Sequence, residues 1–238
     1  AFDLGDLHML YSSYFGSGGG PLDALTDVVT DQSGNIFMVG WDDDASYANN
    51  VCGWNTVDYH FISCGSGGYM DPNLDPSYYG HFIARLNANF HEKWATKIEG
   101  KQYEYLAQVN EIGRPRLACD QYGNIYMFGS TASGSVLDTD PIAPFHPDPG
   151  GYSNFTHADG FGVTPTSVYD TYVLMFNNAT EMVWSTLFGG PGNDYAAGIT
   201  VFNDRVYVCG STESAYFPTH APTIDGATPY LMETPSAA

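Results

Sequence analysis

An all-β chain built from repeated four-stranded antiparallel units is predicted by three observations. The first is a phrase written three times. Val28-Val29-Thr30-Asp31-Gln32-Ser33-Gly34-Asn35-Ile36-Phe37-Met38-Val39-Gly40 returns as Leu117-Ala118-Cys119-Asp120-Gln121-Tyr122-Gly123-Asn124-Ile125-Tyr126-Met127-Phe128-Gly129. A copy one residue shorter runs from Ile199 through Asn203-Asp204-Arg205 to Val206-Tyr207-Val208-Cys209-Gly210. The second is that each phrase sets two β-rich runs about a Gly-Asn or Asn-Asp signal, the pattern of a hairpin. The third is that two further strand-like runs follow each of the first two copies. Units repeated at this scale cannot bury an apolar face alone and need neighbours to stack on. Four antiparallel strands per unit, repeated, is the blade of a β-propeller.

The elements follow in order. Tyr11-Ser12-Ser13-Tyr14-Phe15-Gly16, within residues 8–16, reads as the last strand of a preceding blade. The first blade spans 23–98: the hairpin, an insertion over 41–80, a third strand at His81–Asn87 and a fourth at Glu92–Ile98. The second spans 113–188, with an insertion over 130–170 and strands at Thr171–Asn177 and Met182–Phe188. Both third strands end in Asn, which tolerates the left-handed backbone of a turn. The last unit, 194–238, is incomplete: a weak third strand around Pro229-Tyr230-Leu231-Met232 is followed only by Glu233-Thr234-Pro235-Ser236-Ala237-Ala238. The count is about three blades, whereas propellers close with four to eight. A partial propeller, or a fragment of a larger one, is therefore expected. Phe37, Val39, Tyr126, Phe128, Tyr207 and Cys209 alternate within the repeat strands and are expected in the core.

Composition bounds the function. With 43% hydrophobic and only 14% charged residues, the chain of 238 should fold around a sizeable core. A formal charge of −20 with seven Lys and Arg opposes binding to nucleic acid or anionic lipid, which depends on basic groups displacing counterions. No run reaches the roughly 18 apolar residues that cross a bilayer, and no charged n-region precedes an apolar one, so Ala1 reads as a processed end or the edge of a fragment.

The insertions carry the candidate sites. Each is about 40 residues long and rich in Gly, Pro, Asp, Ser and Tyr, and loops of that length are often binding surfaces, lids or contacts with neighbouring chains. Trp54, Tyr59, Tyr69 and Tyr78 offer rings on which a glycan or protein can stack, or else serve as small cores of the loops themselves. Asp42, Asp43, Asp44, Asp138 and Asp140 could gather oxygens for Ca²⁺, although no spacing matches an EF-hand; solvated loop carboxylates are the plainer account. Cys52 and Cys64 bracket a short segment that a disulfide would staple, implying an oxidising compartment, while Cys119 and Cys209 read as buried free thiols within strands. Asn154-Phe155-Thr156 and Asn178-Ala179-Thr180 are glycosylation sequons. Seven scattered histidines show no zinc spacing, and no nucleophile elbow or phosphate loop is present.

Trp184-Ser185-Thr186-Leu187-Phe188-Gly189-Gly190-Pro191-Gly192-Asn193-Asp194, with the hairpin after it and the ending Phe217-Pro218-Thr219, resembles the bacterial SBBP-type β-propeller repeat, a seven-bladed-like family. Tyr11-Ser12-Ser13-Tyr14-Phe15-Gly16 is similar to the same opening. The second copy departs, with 101–112 in place of the glycine-rich turn and Asp138-Thr139-Asp140-Pro141 where Phe-Pro-Thr would stand. The resemblance implies a secreted or cell-surface bacterial protein and supplies no catalytic residues. The expected function is a non-catalytic extracellular scaffold or adhesion module, contacting other protein subunits, remaining blades or surface glycans, without nucleic acid or membrane insertion. The alternative is a carbohydrate-binding or polysaccharide-degrading propeller enzyme.

Overall fold

The computed structural model describes residues 9, 12, 24–42, 47–48, 62–65, 68–70, 80–98, 113–131, 169–190, 192–215 and 217. All the named elements among them are strands: β1 (Ala24–Thr30), β2 (Ile36–Asp42), β3 (Tyr47–Ala48), β4 (Ile62–Ser63), β5 (Gly80–Leu86), β6 (Glu92–Ile98), β7 (Arg116–Cys119), β8 (Ile125–Thr131), β9 (Asp170–Phe176), β10 (Met182–Phe188), β11 (Asp194–Phe202) and β12 (Arg205–Thr212). β1-β2-β5-β6 and β7-β8-β9-β10 form two four-stranded antiparallel sheets, and β11-β12 forms the hairpin of the third copy.

One turn, repeated, explains why the phrase folds as it does. Asp31 Oδ1 accepts from the amides of Ser33 and Asn35 at 2.8 and 2.9 Å, and Asn35 Nδ2 donates to Asp31 Oδ2 at 2.6 Å. Asp120 repeats the arrangement with Tyr122 and Asn124 at 2.8, 2.9 and 2.8 Å. Between third and fourth strands Asn87 and Asn177 play the same part, each accepting two amides through Oδ1. The fourth turn residue has positive φ in all four: Gly34, Phe90, Gly123 and Thr180. Only glycine takes that backbone without steric cost, which is why the hairpins read Gly-Asn. The third hairpin closes instead on Asn203 and Asp204, both left-handed, as in a two-residue type I′ turn. That shorter connection accounts for the missing residue.

Asp120→Ala removes the acceptor for these donors and for the Tyr126 hydroxyl at 3.2 Å. The expected loss is about 2–3 kcal/mol, from several bonds to one charged acceptor. Urea unfolding checks it, as a lower midpoint at unchanged slope.

Strands buried on both faces account for the apolar phrases. One face of the first sheet (Phe37, Val39, Ile83, Trp94, Ile98) packs on Leu117, Ile125, Met127, Leu174 and Phe176 of the second in a single core. The opposite face of the second sheet, with Phe128 and Val173, meets Ala196 and Ile199 of β11. Polar links fix the alignment: Thr26 Oγ1 donates to Pro115 O at 2.7 Å, Arg116 to Thr26 O at 2.9 Å, and Leu117 N to Asp27 Oδ2 at 2.9 Å. At the end of each second strand a glycine faces an aromatic ring on the third. A Cβ on Gly40 would lie 2.8 Å from the Phe82 ring and strike Ala24 O, and one on Gly129 would lie 2.5 Å from the Tyr172 hydroxyl. Both aromatic rings are fully buried, so no larger residue fits there.

Several expectations shift. Phe37, Val39, Tyr126 and Phe128 are in the core as expected, but Tyr207 is 47% exposed and Cys209 is an exposed thiol. β12 pairs only with β11 among the described residues, so the face that an adjacent sheet covers elsewhere is open there. Trp41, Gly80, Ser130 and Asp170 are strand residues, not insertion residues, because the ladders run out to Asp42↔Gly80 and Thr131↔Asp170. The first insertion also returns onto both sheets: Cys64 bridges Ala95 of β6 in the first, and Tyr69 N donates to Thr180 O in the β9–β10 turn of the second at 2.8 Å. Apart from Met9 and Ser12, residues 8–16 lie outside the described residues, as does 229–238.

Candidate functional site: the insertion-bearing end of the sheets

The strand registers bring the roots of both insertions together. Asp42 pairs with Gly80 and Thr131 with Asp170, so each insertion starts and finishes on neighbouring strands. Just inside these roots, His81 Nδ1 and the Tyr172 hydroxyl form a 2.5 Å hydrogen bond from one sheet to the other, with ring centroids 5.8 Å apart. Both residues are fully buried. Burial pushes the His81 pKa down to about 3, so the imidazole is neutral at ordinary pH and links the sheets as a polar strut. A histidine held that low is no general acid near pH 7.

Buried polar side chains concentrate at this end: His81, Ser130, Thr131, Asp170, Thr171, Asp194 and Ser214. Ser130 Oγ accepts from Ala196 N at 2.8 Å, fastening β11 to the second sheet. The glycine-rich turn entering β11 is organised by its own side chains. Asp194 N donates to Tyr169 O, and Asp194 Oδ2 accepts from Gly190 N and the Ser214 hydroxyl, at 2.6, 2.6 and 3.0 Å. Asn193 Oδ1 accepts from Tyr169 N at 3.1 Å while its Nδ2 donates to Glu213 at 2.7 Å. A cavity of about 250 Å³ lies beside this turn, lined by Phe128, Thr171, Asp194, Tyr195, Val208 and Gly210 among others.

The residues singled out from sequence fall in different places. Tyr69 is half-buried against the core, its ring 6.2 Å from Phe176 and its carbonyl accepting from Trp94 Nε1 at 2.8 Å. That is the packing role open to such rings from the start. Cys64 is disulfide-bonded, and Cys119 and Cys209 are free. Burial, then the charges of Asp120 and Asp31, push the Cys119 thiol up to about 11, which keeps it unreactive. Asn178 is exposed in the β9–β10 turn, whereas Thr180 of its sequon is buried. Asp42 ends β2. Trp54, Tyr59, Tyr78, Asp43, Asp44, Asp138, Asp140, Cys52 and Asn154 lie outside the described residues. Among the described residues no three His, Cys, Asp or Glu side chains gather as metal ligands. Nor is any helix there long and apolar enough to cross a membrane.

Sequence reasoning missed the His81–Tyr172 link and the pair Asp170 and Asp194. Asp194 closes the glycine-rich motif, and its place directly before a β-rich run was the available signal. His81 and Tyr172 are 91 residues apart, and only sheet stacking joins them.

No curated protein matches the chain. Residues 183–218, from within β10 through the Asp194 turn and the β11–β12 hairpin just described, match the family model of SBBP, a beta-propeller repeat, and this part of the chain is similar to that repeat.

Proposed function

We propose that this protein is a non-catalytic, extracellular propeller scaffold whose two long insertions together form the surface that contacts other subunits or cell-surface glycans. The observation that carries the reading is the shared root. The insertions leave adjacent sheets at one end, joined beneath by the His81–Tyr172 hydrogen bond. Two loops anchored that closely on a stiff double-sheet core make one continuous surface, the usual way a rigid scaffold presents binding loops. The repeat supports a scaffold, since a modular array supplies rigidity and leaves chemistry to its loops. The acidic composition supports a protein or glycan partner over nucleic acid.

The test replaces residues 132–168 by Asn-Gly, which with Tyr169 makes a three-residue connection between the paired Thr131 and Asp170. Glycan-array binding and sedimentation are then measured against the intact protein. The expected result is loss of glycan binding or self-association with the unfolding temperature retained. Unchanged binding by the shortened protein sinks the shared-surface reading, and turnover of any polysaccharide sinks the non-catalytic one.

A further inference from the structure

We propose that the carboxylates of Asp170 and Asp194 bind a divalent cation of the Ca²⁺ class, which ties the third hairpin to the second sheet. The site is distinct from the acidic loop residues singled out from sequence. Asp170 opens β9, Asp194 opens β11, and each is 1% exposed. Their side chains converge on Gly189, where a Cβ would collide with the Asp170 carboxylate and stand 2.7 Å from Asp194 Oδ2. Only glycine at this position lets both carboxylates approach over its Cα.

The second observation lies in how Asp194 is satisfied. Oδ2 receives Gly190 N and Ser214 Oγ, but Oδ1 is buried with no hydrogen-bond partner. A carboxylate oxygen removed from water and left without a donor is costly, and a second carboxylate beside it adds repulsion. One divalent cation between them relieves both. Carboxylate, hydroxyl and main-chain oxygens are what Ca²⁺ accepts, six to eight at a time, with water filling the remainder. The cavity beside Asp194 gives water room to do so. This reading does not depend on the loop surface proposed above.

The experiment uses the whole chain stripped with EDTA. Unfolding temperature is measured with and without added Ca²⁺, and Tb³⁺ luminescence is excited through tyrosine, for which Tyr195 lines the same cavity. Calcium at 100-fold over its Kd is expected to raise the midpoint by roughly 5–10 °C. Tb³⁺ emission is expected to appear and to be displaced by Ca²⁺. Asp194→Asn is expected to abolish both responses; the wild-type Tb³⁺ signal and its displacement provide a readout if that variant does not fold. Three results each overturn the proposal: no calcium shift and no Tb³⁺ emission in the wild type, responses that survive in Asp194→Asn, or a midpoint that rises on acidification to pH 5 without any response to calcium. The last would mean a shared proton in the notch.

Discussion

Phe176→Ala is expected to lower stability by about 3–5 kcal/mol and the unfolding temperature by roughly 10–15 °C. Phe176 is fully buried on β9, its ring 5.5 Å from Trp94 at 60° and 6.2 Å from Tyr69 at 55°. These contacts come from three parts of the chain: the second sheet, the fourth strand of the first sheet and the returning limb of the first insertion. The cavity left by alanine cannot close easily, because the Trp94 indole is fixed by its bond to Tyr69 O and the sheets are held by backbone ladders. A Trp94→Ala, Phe176→Ala double-mutant cycle should give a coupling of about 0.5–1.5 kcal/mol, beyond area burial. Phe202→Ala, at a residue 66% exposed, should stay within about 0.5 kcal/mol. Chemical denaturation of the wild type and the four variants decides it. A Phe176→Ala loss under about 1 kcal/mol would mean that the sheets are not joined through this cluster.

Strand positions were legible because local chemistry and global packing agree. The expected strands Glu92–Ile98 and Met182–Phe188 are β6 and β10 residue for residue. Asp31 and Asp120 could be read as turn residues since the geometry is built from atoms within four residues of them. Burial was less legible, because it depends on what lies across a face. Phe128 and Cys209 stand directly before the closing glycine of their phrases, yet Phe128 is buried against β11 while Cys209 is exposed. No pattern within a strand carries that difference. The shortness of β7 is a related case: Arg116 begins it opposite Phe128, a place before which the first sheet has already made two residue pairs.

The candidate site was legible only as a location. Long insertions between second and third strands could be counted, but that they share a root follows from the first sheet packing on the second, with 91 residues between His81 and Tyr172. Aromatic loop residues drew attention by composition, and Tyr69 shows why composition misleads: its ring is spent on the core between the sheets. Asp170 and Asp194 drew none, since a single aspartate before a strand is common. Their interest comes from burial and from their convergence on Gly189, which are properties of the fold.

Acid is expected to loosen this end of the molecule through His81. The folded-state pKa is depressed to about 3 by burial, against about 6.5 in an unfolded chain. The unfolded state therefore binds the extra proton first. Stability from this residue is fully present above pH 6.5, falls as pH drops from there toward 3, and is flat below that. The slope in the window is at most about 1.4 kcal/mol per pH unit, or roughly 3 kcal/mol by pH 4. Carboxylates titrate in the lower part of the same window, so the informative quantity is the difference from His81→Phe. That variant keeps a ring of similar size and leaves the Tyr172 hydroxyl without its 2.5 Å partner, a penalty that does not vary with pH across the window. Wild type should be the more stable at pH 7.5 and lose its advantage on acidification, with the two urea-midpoint curves converging or crossing before pH 4.5. Parallel curves would show that His81 is not the acid-sensitive strut. Convergence would place the first acid-driven loosening at the contact between the two sheets, directly beneath the paired roots Asp42↔Gly80 and Thr131↔Asp170, while the ladders themselves still hold.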